Sequence, residues 1–156
     1  MYVFDTSSLS IVLKHYYPER FPSLWEKFGK PVSDNKILLV REVYNEIIRG
    51  ESTGRLLQWA KDNRDLFEEP SVEELEFVRE IFRINHFQQL VRKKERLTGK
   101  PVADPFVIAK AKIEQATLLT EEKFKENAAT IPNVCEHFKV QYTNLEGFME
   151  REGWQF

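Results

Sequence analysis

Four short apolar runs govern what this chain can fold into. Met1-Tyr2-Val3-Phe4, Ile37-Leu38-Leu39-Val40, Ala116-Thr117-Leu118-Leu119 and Val140-Gln141-Tyr142 each have the length of a buried strand, and helical patterns fill the gaps between them. Strands separated by helices need crossover connections, so the runs should pair mainly in parallel, with helices covering both faces. The expected class is α/β. Between the second and third runs lies a long insert, about residues 53–100, whose apolar spacing predicts helix. The residues that carry this spacing are Leu56, Leu57 and Ala60, then Leu75, Val78, Ile81 and Phe82, and a helical subdomain or lid is expected there. Pro18, Phe21 and Pro22 punctuate two early helices. Without an internal repeat, a low-complexity tract or a Gly/Ser linker, residues 1–156 are read as a single domain.

Composition narrows the class further. A chain of 156 residues can bury a full core, and 42% hydrophobic with 31% charged residues excludes a disordered polymer. Lys+Arg 23 against Asp+Glu 25 gives a net charge of -2, which leaves both nucleic acid and small substrates open, because local patches matter more than totals. The lone Cys135 cannot form an internal disulfide and suits a reducing compartment. The opening run is too short for a secretory apolar region and has no basic leader, so an unprocessed cytoplasmic chain is expected. No stretch approaches the roughly 18 apolar residues of a membrane span.

In open α/β sheets, ligands collect beyond the carboxyl ends of the strands, which directs attention to Asp5, directly after the first run. Thr6, Ser7 and Ser8 follow it, and Asp5, Ser7 or Ser8 could each serve as an ordinary helix N-cap. In residues 40–50, Val40, Val43, Tyr44, Ile47 and Ile48 form one stripe of an amphipathic helix that Gly50 stops. Glu46 lies on the flank of that stripe and can reach a cleft, whereas Glu42 points almost opposite its centre, toward water. Asp104 is placed as N-cap and Pro105 as the first residue of a later helix. Phe106, Val107, Ile108, Ala109, Ala111 and Ile113 surround that helix on nearly every side, which predicts burial. After the third run come Thr120, Glu121 and Glu122; Glu122 is the better placed acid, because Glu121 directly follows the hydroxyl and is expected to turn away. Capping by Thr120, with acids in a first helical turn, would also explain this segment.

Phe4-Asp5-Thr6-Ser7, Glu46-Ile47, Ala103-Asp104 with Ile108-Ala109-Lys110-Ala111, and Leu119-Thr120-Glu121-Glu122 together resemble the PIN-domain nucleases in order and spacing, over nearly the whole chain. The resemblance is closest to bacterial PIN-like proteins related to the VapC-type toxins of toxin–antitoxin pairs. It implies a three-layer sandwich around a mainly parallel sheet and a divalent-metal site of Asp5, Glu46, Asp104 and Glu122, with Ser7 and Thr120 as supporting contacts. The fourth position is commonly Asp in that family and is Glu here, and the insert before Asp104 is long. RNA is the substrate implied, and an antitoxin and a second copy of the chain are the protein partners.

Crowded carboxylates repel one another unless a cation compensates, and an all-oxygen donor set favours Mg²⁺ or Mn²⁺ over zinc. The expected chemistry is metal-dependent hydrolysis of a phosphodiester. Arg92, Lys93, Lys94, Arg96 and Lys100 form the clearest basic run and are candidates for a phosphate clamp, although a basic run at a helix end also complements the dipole. Phe82, Arg83, His86 and Phe87 could add stacking, or belong to the core. His15, His86, His137 and Cys135 lack zinc-ligand spacing, and neither a Gly-rich phosphate loop nor a nucleophile elbow is present. Two other readings stay open: a degenerate PIN-like scaffold that binds RNA or protein without cutting, and a nuclease specific for DNA structures.

Overall fold

Strand β1 (Tyr2–Phe4) lies at the centre of a five-stranded sheet in the computed structural model, which describes residues 1–50, 54–91, 99 and 102–156. The other strands are β2 (Ile37–Val40), β3 (Phe67–Glu68), β4 (Thr117–Leu119) and β5 (Tyr142–Thr143), and the order is β3-β2-β1-β4-β5. Every pairing is parallel; Val3 stands opposite Leu38 on one side and Leu118 on the other. The expected α/β class and parallel sheet are therefore what the chain forms. The fifth strand, β3, falls inside the insert, where the apolar spacing predicts only helix. Two residues are too few for a period-2 pattern to register.

The chain moves from β1 to β2 to β3 in one direction and from β3 to β4 to β5 in the other. Right-handed crossovers then put the two sets of helices on opposite faces. Helices α1 (Thr6–His15), α2 (Pro22–Ser33), α3 (Arg41–Arg49) and α4 (Gly54–Asp62) cover the first face, and α1, α3 and α4 touch one another. Helices α5 (Val72–Arg83), α6 (Asp104–Ile113) and α7 (Ile131–Phe138) cover the second, with α6 between α5 and α7. The last helix, α8 (Leu145–Arg151), joins the first face, where Phe148 meets Phe4 edge-on at 5.5 Å and Phe28 of α2 meets Phe4 at 6.0 Å. This is a three-layer sandwich.

The described part of the insert is built into this core and does not form a lid. Leu56, Ala60, Phe67, Phe77, Val78, Ile81, Phe87 and Leu90 are all buried, and α5 packs along α6. The buried stripe of α5 is Glu74, Phe77, Val78 and Ile81, whereas Leu75, expected inside, is exposed. Helix α6 is buried as expected through Val107, Ile108, Ala109 and Ala111, whereas Phe106 is half-buried and Ile113 is exposed. Among the described residues no helix is long and apolar enough to cross a membrane.

Three of the helix-to-strand turns share one device. After α2, α6 and α7, a single residue takes the left-handed conformation, at Asn35, Gln115 and Lys139, with φ of 53°, 52° and 57°. The next amide then reaches back five residues, as Lys36 to Pro31, Ala116 to Ala111 and Val140 to Cys135, at 2.8, 2.9 and 2.8 Å. These six-to-one bonds close the helices as Schellman motifs and launch β2, β4 and β5.

Candidate active site

The crossovers out of β1 and β4 leave in opposite directions, so a topological switch point lies between the carboxyl ends of these adjacent strands. Asp5 follows β1 there, and Thr120 follows β4. The Asp5 amide donates to the Leu119 carbonyl at 2.9 Å, carrying the ladder one residue past Phe4, and the Asp5 carbonyl accepts from Leu9 at 3.1 Å to begin α1. Asp5 therefore occupies the N-cap position, yet its carboxylate makes no side-chain cap bond. Its Oδ2 instead accepts from the Ser7 hydroxyl at 2.8 Å and the Thr120 hydroxyl at 3.1 Å.

Asp5 is 5% exposed, and burial raises its pKa above the ordinary value. The Ser7 hydroxyl, the Thr6 amide and the Thr120 hydroxyl oppose that rise, while the charge of Glu122 adds to it. Thr120, 1% exposed, also accepts from the Glu122 amide at 3.2 Å, and Ser7 accepts from the Glu121 amide at 3.1 Å. The strand ends are thus laced together through two hydroxyls centred on one buried carboxylate.

Glu46 connects this centre to a third element. Its Oε2 accepts from the Thr6 hydroxyl at 2.5 Å, and its Oε1 accepts from the Ala103 amide at 2.7 Å. These partners are the immediate neighbours of Asp5 and Asp104, so one half-buried Glu on α3 ties together the starts of α1 and α6. Asp104 is half-buried at the first position of α6, with Ala103 as N-cap and Pro105 in the first turn. The expected placement, Asp104 as cap and Pro105 as first helical residue, is shifted by one. Because α6 runs back toward the start of β4, its N-terminus stands at the same end of the sheet as Asp5.

The two adjacent glutamates after β4 diverge. Glu122 is exposed and its Oε2 accepts from the Ile131 amide at 2.9 Å, which caps α7. Glu121, expected to turn away, turns inward: its Oε1 accepts from the Ser8 hydroxyl at 3.0 Å and the Leu145 amide at 2.9 Å, joining α1 to the start of α8. Thr6, Ser8 and Glu121 are thus neighbours of the candidate site, although the sequence gives Thr6 no role, offers Ser8 only as a helix cap and turns Glu121 away. The unbroken hydroxyl run Thr6-Ser7-Ser8 was the available signal.

Glu42 is buried at 6% exposure, not turned to water. Arg41 follows Val40 of β2 without a linker, so the first turn of α3 is pressed against the strand end before the helix can present a solvent face. Glu42 Oε1 accepts from Arg41 at 2.8 Å, and its buried Oε2 has no hydrogen-bond partner among the described residues. Phe87, a candidate for base stacking, is in the core against the His137 ring at 5.2 Å. The basic run Arg92, Lys93, Lys94, Arg96 and Lys100 lies outside the described residues.

Among the described residues, the carboxyl ends of β1 and β4 gather Asp5, Glu46, Glu121 and Glu122 with the Thr6, Ser7, Ser8 and Thr120 hydroxyls. Among the described residues no group of three or more His, Cys, Asp or Glu side chains is placed so that it could hold a metal ion. Comparison with curated proteins gives no match. A family model does match, across residues 2–156, and its description is domain of unknown function DUF4411. The chain, nearly end to end, belongs to the DUF4411 family.

Proposed function

We propose that this protein is a Mg²⁺- or Mn²⁺-dependent nuclease of the PIN type that hydrolyses RNA phosphodiester bonds, acting in the cytoplasm as the toxin of a toxin–antitoxin pair. One observation carries the reading: a buried, hydroxyl-braced Asp5 stands at the β1/β4 switch point, and Glu46 ties its neighbour Thr6 to the neighbour of Asp104. An antitoxin and a second copy of the chain are the protein partners that go with it.

The acid set is of the donor type that Mg²⁺ and Mn²⁺ take, though its members are not gathered as a preformed metal group among the described residues. All of its atoms are oxygens, and Mg²⁺ is ordinarily held by one or two carboxylates together with water and substrate phosphate, not by a closed protein cage. Asp5 and Asp104 would hold the ion, with Glu46 and Glu122 beside them. The chemistry such an ion supplies is a lowered pKa for water and neutralisation of charge on the phosphoryl group.

The chain's own groups supply the rest. Ser7 and Thr120 donate to Asp5 Oδ2, which favours its ionised form and fixes its direction. Glu46 holds the two acid-bearing helix starts together through Thr6 and Ala103, and in this reading it would serve as a ligand or as the group that orients an attacking water. Glu122 caps α7 through Ile131 while its charge bears on Asp5.

Calorimetric titration with Mn²⁺ tests the reading. The parent should bind, and Asp5→Asn and Asp104→Asn should each weaken binding by at least about tenfold. Equal binding by all three would remove the site. A second reading, a scaffold that does not cut, is favoured by the engagement of Glu46 and Glu122 with the backbone amides of Ala103 and Ile131. It predicts a parent that takes up no Mn²⁺.

A further inference from the structure

Lys110 is 4% exposed, on a helix whose neighbouring positions Val107, Ile108, Ala109 and Ala111 are all core. A lysine is almost never buried to this degree unless paired. Its Nζ donates to Glu68 Oε2 at 2.5 Å and lies 3.3 Å from Glu74 Oε1 and 3.7 Å from Glu114 Oε1. Glu68 ends β3 and Glu74, 2% exposed, sits in the first turn of α5, so both main partners come from the insert. An apolar side chain would fill the space without desolvating an ammonium ion, and a buried ion pair is weak evidence for stability as such. An ion cluster adds direction: α6 cannot slide or rotate without stretching bonds to two other elements, whereas apolar contacts tolerate such shifts.

We infer that Lys110 is a positioning residue, which registers α6 against the insert so that the Ala103 amide meets Glu46 and Asp104 is presented at the sheet's carboxyl end. Lys110 lies six residues beyond Asp104, about 9 Å along the helix at 1.5 Å per residue, so it acts on the site through the helix and not by contact. Two anchors then define α6: the Ala103–Glu46 bond at its start and the Lys110 cluster in its body. The relevance of this register to metal binding rests on the nuclease reading; the register itself does not.

The test separates the two. Lys110→Met combined with Glu68→Gln and Glu74→Gln removes the charges together and leaves no buried ion unpaired; the single variant Glu68→Gln, at a more exposed partner, serves if the triple variant does not fold. Amide hydrogen exchange at Ala103, followed by NMR, should accelerate at least tenfold in the triple variant and less in Glu68→Gln, while Val3 and Leu118 in the central strands keep their protection. Mn²⁺ affinity should fall in parallel, and Lys110→Arg should recover both. Unchanged Ala103 protection in a folded variant would overturn the inference. Failure of the nuclease reading has a different signature: Ala103 protection still depends on Lys110, but no variant, the parent included, binds Mn²⁺.

Discussion

Asp5 carries the site because its surroundings work against its charge while its hydrogen bonds retain it. Burial raises its pKa above the unfolded value of about 3.9, so ionised Asp5 weighs against folding at neutral pH and the penalty vanishes once pH falls below that value. Metal-free Asp5→Asn should therefore melt above the parent at pH 7, with the difference closing near pH 3; a variant that melts below the parent at pH 7 would contradict the account of Asp5. A saturating cation reverses the order: at a hundred times Kd, Mn²⁺ should stabilise the parent by about 2.7 kcal/mol, or about 5–10 °C in Tm, and leave Asp5→Asn unmoved. Asp5, Glu46 and Asp104 could be picked out because each stands at a place that strand ends and helix periodicity define. Glu42 and Glu121 could not. Periodicity treats a charge opposite the apolar stripe as solvated, and only the direct junction of β2 with α3 shows that Glu42 has no room to be so. The inward turn of Glu121 depends on α8, whose Leu145 amide lies 24 residues on in sequence.

The elements show a similar division. The apolar runs located β1, β2 and β4 to within a residue, and β5 begins two residues later than its run because the residues before it pass out of the Schellman turn. That turn is hard to read from sequence, since its left-handed residue is usually glycine and here is Asn35, Gln115 or Lys139. Only the corresponding turn after α8 uses glycine among these helix ends, with Gly153 at φ 64°. A left-handed residue with a Cβ costs roughly 1 kcal/mol relative to glycine. Lys139→Gly should thus raise stability by somewhat less than about 1 kcal/mol, after the extra chain entropy of glycine is deducted, and thermal denaturation should show a Tm higher by about 2 °C. A lower Tm would show that the Lys139 side chain makes a contribution that its backbone conformation conceals.

Taken whole, the molecule concentrates acids along one edge of its sheet. In spatial order the carboxyl ends carry Glu68 as the last residue of β3, Glu42 after β2, Asp5 after β1, and Glu121 and Glu122 after β4. Alternating strands and helices made the parallel sheet predictable, because crossover helices lie on both faces of such a sheet and bury its strands. The strand order was not predictable, since it depends on which runs pair, and it is the order that makes β1 and β4 neighbours and creates the switch point. In the proposed function, this end of the sheet cuts RNA with the help of a divalent ion held by Asp5 and its neighbours. The most direct measurement is incubation of total cellular RNA with the purified protein in Mg²⁺ or Mn²⁺, in parallel with Asp5→Asn and with chelator. Fragments should come from the parent alone, and only with metal; cleavage by Asp5→Asn at the parent's rate would rule out Asp5 as the centre of the reaction.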